Sequence, residues 1–269
     1  MLVKGKLVTL EPEGEAVIVS DVHGDLESLV YLLKDSIFIE KAQQNKNIFL
    51  IFLGDYGDRG PYSAEVYYIT LKLKRQFPKN VILMRGNHEG PEDLLAHPHD
   101  LPIQFHQRFG SRGDAAYFST RKLFNQLYNA VLVTDRFILI HGGFPANARS
   151  LDDLAYAHQK HPKETFLEEM LWNDPEENIT GTCPSPRGAG KLFGNDITEA
   201  FLKMLKAKAL IRGHEPSSEG FKLNHDAKVL TLFSRKGEPY YNEKGAYLKI
   251  DLSLRTRNAE DLLPYIRQF

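Results

Sequence analysis

Five apolar runs in this chain each stop at residues that carry a lone pair or a negative charge. "AVIVS" (16–20) leads to Asp21 and His23, "IFLIFLG" (48–54) to Asp55 and Asp58, and "NVILMRG" (80–86) to Asn87 and His88. "RFILI" (136–140) ends at His141, and "ALIRG" (209–213) at His214. Short apolar runs of this kind, flanked by turn residues, read as buried strands. In α/β sheets, ligand sites gather at the carboxyl ends of strands. If the five ends converge, they make a dense cluster of oxygen and imidazole donors. Carboxylates crowded together repel one another and resist ionisation; divalent cations remove that conflict. A set this large suits two cations. Mixed His, Asp and Asn ligation without thiolate suits Mn, Fe or Zn.

A lone Asp after a strand is ordinarily a turn residue or a helix cap, and Asp21 alone would read that way. The fivefold recurrence of the same strand-terminal context is what favours a site. His97, His99, His106, His158, His161 and His225 lack that context and read as surface or loop residues.

Between the strands, helical spacing predicts helices in "DLESLVYLLKDSIF" (25–38), "SAEVYYITLKLKRQF" (63–77), "KLFNQLYNA" (122–130) and "DITEAFLKMLKAKA" (196–209). Residues 130–143 read as a hairpin turning near Thr134 to Arg136. After Lys228, "KVLTLFS" and "GAYLKIDLS" read as two strands around the polar loop "RKGEPYYNEK". The pattern is mixed α/β, with sheets covered by helices. The Pro- and Gly-rich stretch 145–190 reads as long ordered loops or lids.

The net charge of −1 over 269 residues argues against duplex nucleic acid or an anionic membrane as partner. The single cysteine, Cys183, excludes an intramolecular disulfide and a Cys-rich zinc site, and fits a cytoplasmic protein. The first twenty residues lack the apolar core of a signal peptide. No segment approaches the roughly 20 apolar residues of a membrane span.

"SDVHGD" (20–25), "GDYGDRG" (54–60) and "RGNHE" (85–89) resemble the three signature motifs of the calcineurin-like metallophosphoesterases, and "HGG" (141–143) and "RGHE" (212–215) their later histidine motifs. "MLWNDP" (170–175), "PRGAGKLFG" (186–194) and "LTLFS" (230–234) make the chain most similar to the PPP family of serine/threonine protein phosphatases. The likeness runs from about Val17 to Leu252.

The resemblance implies one catalytic domain over 1–269, with a central β-sandwich of mixed sheets flanked by helices. It implies Asp21 and His23 on a first metal, Asp55 bridging, and Asn87, His141 and His214 on a second. It implies His88 as general acid, Asp58 as the carboxylate that orients it, and Arg59 and Arg187, with Asn87, as phosphate-binding residues. The reaction implied is removal of phosphate from phosphoserine or phosphothreonine in proteins, by in-line attack of a metal-bridging hydroxide. Phosphoprotein substrates are the expected partners of a monomer or of a catalytic chain with a regulatory subunit. Glu89 and Glu215 read as supports of the site, and Trp172 as core.

The chain departs from the family pattern at Ser20, where Gly is usual, and at Gly57, where Val is common. The loop "RKGEPYYNEKGA" (235–246) does not reproduce the family's tyrosine-bearing loop, and either Tyr240 or Tyr241 is a substitute. Two other readings stand beside the phosphatase. "DRGPYSAEV" also fits a diadenosine tetraphosphate hydrolase of the same superfamily, and a metal-stabilised module could bind phosphoproteins without turnover.

Overall fold

The computed structural model describes residues 1–269. Its strands are β1 (Leu2–Lys4), β2 (Leu7–Leu10), β3 (Glu15–Val19), β4 (Ile48–Phe52), β5 (Val81–Leu83), β6 (Ala130–Val133), β7 (Phe137–Ile140), β8 (Asp174–Pro175), β9 (Thr182–Pro184), β10 (Lys191–Phe193), β11 (Ala209–Arg212), β12 (Phe221–Asn224), β13 (Val229–Leu232), β14 (Ala246–Asp251) and β15 (Ile266–Gln268). The helices are α1 (Leu26–Ser36), α2 (Phe38–Gln43), α3 (Ser63–Gln76), α4 (Leu101–Phe109), α5 (Gly113–Phe124), α6 (Leu151–Ala155), α7 (Ala157–Lys160), α8 (Phe166–Trp172) and α9 (Asn195–Leu205).

Two large sheets face each other. One has the order β1-β2-β6-β7-β11-β13-β12, the other β15-β14-β3-β4-β5, and β8-β10-β9 form a small third sheet. Period-two alternation builds the layers. Ala16, Ile18, Ile51 and Ile82 point between the sheets, where they meet Val131, Leu139, Ile211 and Leu230. Their neighbours Val17, Val19, Leu50 and Phe52 point outward, onto a second core shared with Leu29 of α1, Val66 of α3 and Phe105 of α4. Leu132, Ile138, Ile140 and Leu210 likewise face Leu171 of α8 and Phe201 of α9. The result is the expected sandwich of mixed sheets between helical layers.

Register brings the strand ends level. Val19 pairs with Phe52 and Phe52 with Leu83 along parallel β3, β4 and β5. In the other sheet, Ile211 of β11 pairs in parallel with Leu139 of β7. Asp21, Asp55 and Asn87 therefore leave one sheet, and His141 and His214 the other, at the same edge of the sandwich.

Three expectations need correction. The helix predicted over 122–130 ends at Phe124, the last residue of α5, and the chain then turns into β6. The stretch 145–190 carries α6, α7, α8, β8 and β9 rather than loops alone, because Leu154, Leu167, Met170 and Leu171 are needed to cover the seven-stranded sheet. Of the six histidines read as surface or loop residues, His99 and His225 both lie in loops, but His225 is 1% exposed and bonded to Thr198, and His99 is drawn into the site described next. No helix is long and apolar enough to cross a membrane.

Candidate metal and phosphate site

Asp55 lies at the centre of the cluster. One of its oxygens, Oδ2, is 3.4 Å from His23 Nε2, and the other, Oδ1, is 3.4 Å from His141 Nε2. Asp21 Oδ1 is 3.8 Å from His23 Nε2. The ligating atoms of Asp55, His141 and His214 lie within 4.8 Å of one another, as do those of Asp55, His23 and His88. All these side chains are buried.

The second nitrogen of each imidazole fixes which nitrogen faces the cluster. His23 Nδ1 is bonded to the Gly57 carbonyl at 2.9 Å and His141 Nδ1 to the Leu53 carbonyl at 3.2 Å. A carbonyl only accepts, so both Nδ1 atoms carry the proton and both Nε2 atoms present lone pairs inward. Burial drives His23 down to about 3 and His214 well below its ordinary value, so both are neutral donors at neutral pH.

Asn87 tests whether cations fit. Its Oδ1 is 3.0 Å from His141 Nε2 and 3.2 Å from His214 Nδ1. With its lone pair inward, His141 meets the amide oxygen as acceptor against acceptor. Turning the amide relieves this by aiming its nitrogen at Asp55, 2.8 Å from Oδ2. Amide, carboxylate and imidazole atoms thus compete for one small space with too few protons among them. A hard or borderline cation satisfies all of them at once, and the O/N donor set is the right kind for one.

The backbone is shaped for this crowding. His23, Asp55, Asp58, Arg59 and His214 all have φ between 46° and 71°, a left-handed conformation that costs energy outside glycine. Glu89, fully buried, holds the turn in place. Its carboxylate accepts from the backbone N–H of Asp55 (2.8 Å), Tyr56 (3.0 Å) and Gly86 (3.1 Å) and from the Tyr67 hydroxyl (2.7 Å). A Cβ on Gly86 would stand 2.1 Å from Asp55 Oδ1, so only glycine fits there. Both sequence departures have local reasons. The Ser20 hydroxyl donates to Asp21 Oδ2, and a Cβ at Gly57 would lie 2.8 Å from the Tyr67 ring.

His88 projects beside the cluster, its Nδ1 2.6 Å from Asp58 Oδ2. The same oxygen meets His99 Nδ1 at 2.9 Å, and His99 Nε2 is 3.0 Å from the Tyr117 hydroxyl. Asp58 Oδ1 accepts from the N–H groups of Asp100 (3.0 Å) and Leu101 (2.8 Å). Burial pushes the Asp58 pKa upward, but the His88 and His99 hydrogen bonds outweigh it and hold the carboxyl well below its ordinary range. His99 is the residue that sequence reading missed. It sits in an irregular loop, and nothing local to it announces a partner more than forty positions away.

Arg59 and Arg187 both line the cleft. Arg59 Nη2 donates to the His97 carbonyl at 2.7 Å, while its Nε is buried without a partner. Arg187 Nε donates to Asp174 Oδ2 at 2.6 Å; Asp174 Oδ1 takes Arg212 Nη2 at 2.8 Å. Glu215 holds Arg212 and Lys222 rather than touching the cleft. The cleft has a volume of about 780 Å³ and is lined by His23, Asp55, Asn87, His88, His214 and both arginines. Trp172 packs in the core and also faces the cleft, its ring edge-on to His214.

Of the two loop tyrosines, Tyr240 covers the site, its ring centroid 5.5 Å from that of His23. Tyr241 is 76% exposed and points away. Arg235 anchors the loop: Nη1 donates to the His23 carbonyl at 2.9 Å, and the guanidinium lies 5.4 Å from the Tyr240 ring centre.

A two-sheet sandwich with these donors on its strand ends defines a class, and the chain belongs to it: it is a calcineurin-like phosphoesterase, matching that family model over residues 16–218. Membership implies divalent metal ions. Within the class it belongs with the serine/threonine-protein phosphatases. It is 32% identical over 92% of its length to a probable serine/threonine-protein phosphatase of Encephalitozoon cuniculi, and 30% identical over 83% to a protein phosphatase 2A catalytic subunit of Dictyostelium discoideum. It spans 52% of the first relative and 69% of the second. Among solved structures, a Saccharomyces cerevisiae protein serine/threonine phosphatase with similarity to human PP5 superposes with a TM-score of 0.80 at 25% identity. That match covers 99% of this chain and 84% of the yeast chain.

Proposed function

We propose that this chain is a metal-dependent phosphomonoesterase that removes phosphate from phosphoserine and phosphothreonine in proteins. One observation carries the reading: a compact His/Asp/Asn donor set, a carboxylate-bound histidine and two arginines all open on a single cleft.

In this reading Asp21 and His23 hold one cation, and Asn87, His141 and His214 a second. Asp55 serves both, since its two oxygens face different histidines. Mn is the first choice for loading, with Fe and Zn as alternatives for this donor set. Such cations, when bound, neutralise the phosphate dianion and make water a nucleophile near neutral pH.

The chain's own residues supply the rest. Arg59 and Arg187 give forked hydrogen bonds to phosphate oxygens. Asp174 aims Arg187 by occupying its Nε, which leaves the terminal nitrogens for substrate. His88 is the general acid. Its Nδ1 proton is held by Asp58, so the Nε2 proton is the one given to the departing serine or threonine oxygen, a strong base that leaves poorly without it. Tyr240 narrows the cleft above His23 and excludes water there.

The test is a parallel assay of the Mn-loaded protein on phosphoserine, phosphothreonine and phosphotyrosine peptides and on diadenosine tetraphosphate. Preference for the first two supports the proposal. Preference for the dinucleotide would replace it, and binding without turnover of any substrate would make the protein a recognition module.

A further inference from the structure

On the far side of the segment 91–96, two arginines are buried close together without an acid to pair them. Arg85, just after β5, is 4% exposed and Arg121, on α5, 9%. Arg85 Nε donates to the Glu89 carbonyl at 2.6 Å and Nη2 to Asn125 Oδ1 at 3.4 Å. The Arg121 guanidinium rests 5.4 Å from the Phe124 ring centre, and its Nη1 is buried with no hydrogen-bond partner.

The nearby acids are engaged elsewhere. The Glu89 carboxylate is committed to the turn at Asp55, and Asp93 pairs with His161 at 3.0 Å. Buried charges in proteins are paired, and an unpaired one is strongly destabilising. Here two cations share the defect: Arg121 lines a cavity of about 320 Å³ bounded also by Pro91, Glu92, Phe118, Lys122 and Asn125, and Arg85 stands behind Asn125. Lys122 adds a third positive charge. Asn125 gives its oxygen to Arg85, which leaves its amide N–H groups as donors. Glu92, exposed, is the one acid on the rim and lines the catalytic cleft as well.

We propose that this cavity is a second anion site, which takes a phosphate group between Arg121, Lys122 and the Asn125 amide, with Arg85 behind them. Guanidinium forks match phosphate oxygens in geometry and charge. The phosphate is either a free ion or a second phosphorylated residue on the same peptide as one in the cleft.

The experiment is calorimetric titration of the Mn-loaded protein with inorganic phosphate. The expected result is about two phosphates per chain for wild type and about one for Lys122→Gln and for Arg121→Leu, with phosphate inhibition of para-nitrophenyl phosphate turnover unchanged in both. Lys122 is exposed, so its variant cannot fail merely by unfolding. A single phosphate on wild type, or two on both variants, would overturn the site. Turnover on phosphopeptides is not part of this readout, so the result is independent of the proposed substrate.

A second arm assigns the source, using singly and doubly phosphorylated peptides on His88→Asn protein. A preference of about tenfold for the doubly phosphorylated peptide, lost on adding Arg121→Leu, assigns the site to substrate. Equal affinity alongside the second inorganic phosphate assigns it to the free ion.

Discussion

His99 donates to Asp58 on the same carboxylate oxygen that His88 uses, at 2.9 Å against 2.6 Å. The His88–Asp58 pair is therefore part of a hydrogen-bonded chain that continues through His99 to Tyr117. His99 holds Asp58 without itself lining the cleft. His99→Ala should lower turnover of a phosphoserine peptide by about tenfold, the worth of roughly 1.5 kcal/mol for one hydrogen bond to a charged group. His99→Asn, whose amide nitrogen falls near the position of Nδ1, should recover most of it. If the two variants behave alike, the hydrogen bond is not what matters.

His88 itself is tested by leaving group. A serine alkoxide needs a proton as it departs; a nitrophenolate does not. His88→Asn should cost the phosphoserine peptide about 10²- to 10⁴-fold in kcat and para-nitrophenyl phosphate far less, at equal metal content. Asp58→Asn should follow in the same direction more weakly. Equal losses on both substrates would leave His88 as a phosphate contact.

Metal loading should be visible without activity. Mn should raise the melting temperature of chelator-treated protein, by an amount corresponding to roughly 2.7 kcal/mol at a hundredfold excess over Kd. Elemental analysis should find close to two ions per chain. Asp55→Asn should abolish most of the shift, since Asp55 faces both histidine groups, whereas Ser20→Gly should keep it. A full shift in Asp55→Asn would remove that residue from the centre.

Glu89 makes no contact with substrate in this geometry and should report on the fold. Glu89→Gln sets an amide NH₂ against backbone N–H groups that now donate to a carboxylate. Urea denaturation should register a loss of about 1–3 kcal/mol for the unsatisfied buried donors, with metal affinity falling alongside. An unchanged midpoint would mean the turn at Asp55 holds itself.

What the sequence disclosed follows from where each residue sits. Asp21, Asp55, Asn87, His141 and His214 are legible because each closes an apolar run, and parallel register then carries the ends to one edge. The helical layer over 145–190 is not, because three short helices, broken at Tyr156 and around Pro162, have no sustained period. β1 escapes a sequence reading because its three residues are all exposed, so burial leaves no mark on them. The choice between Tyr240 and Tyr241 depends on the packing of Arg235 beneath the loop, which no local pattern encodes.

β14 lies antiparallel beside β3, with Leu248 opposite Ile18. The first motif is thus flanked by a strand made long after it. During synthesis β3, β4 and β5 can associate early, but their sheet keeps a naked edge until Asp251 has left the ribosome tunnel, and two imidazoles of the cleft arrive only with β7 and β11. A partly made chain therefore exposes a sticky strand and has no working cleft. A chain cut before β14 should therefore carry every side chain of the site yet leave β3 as an open edge, a strand available for pairing with other chains.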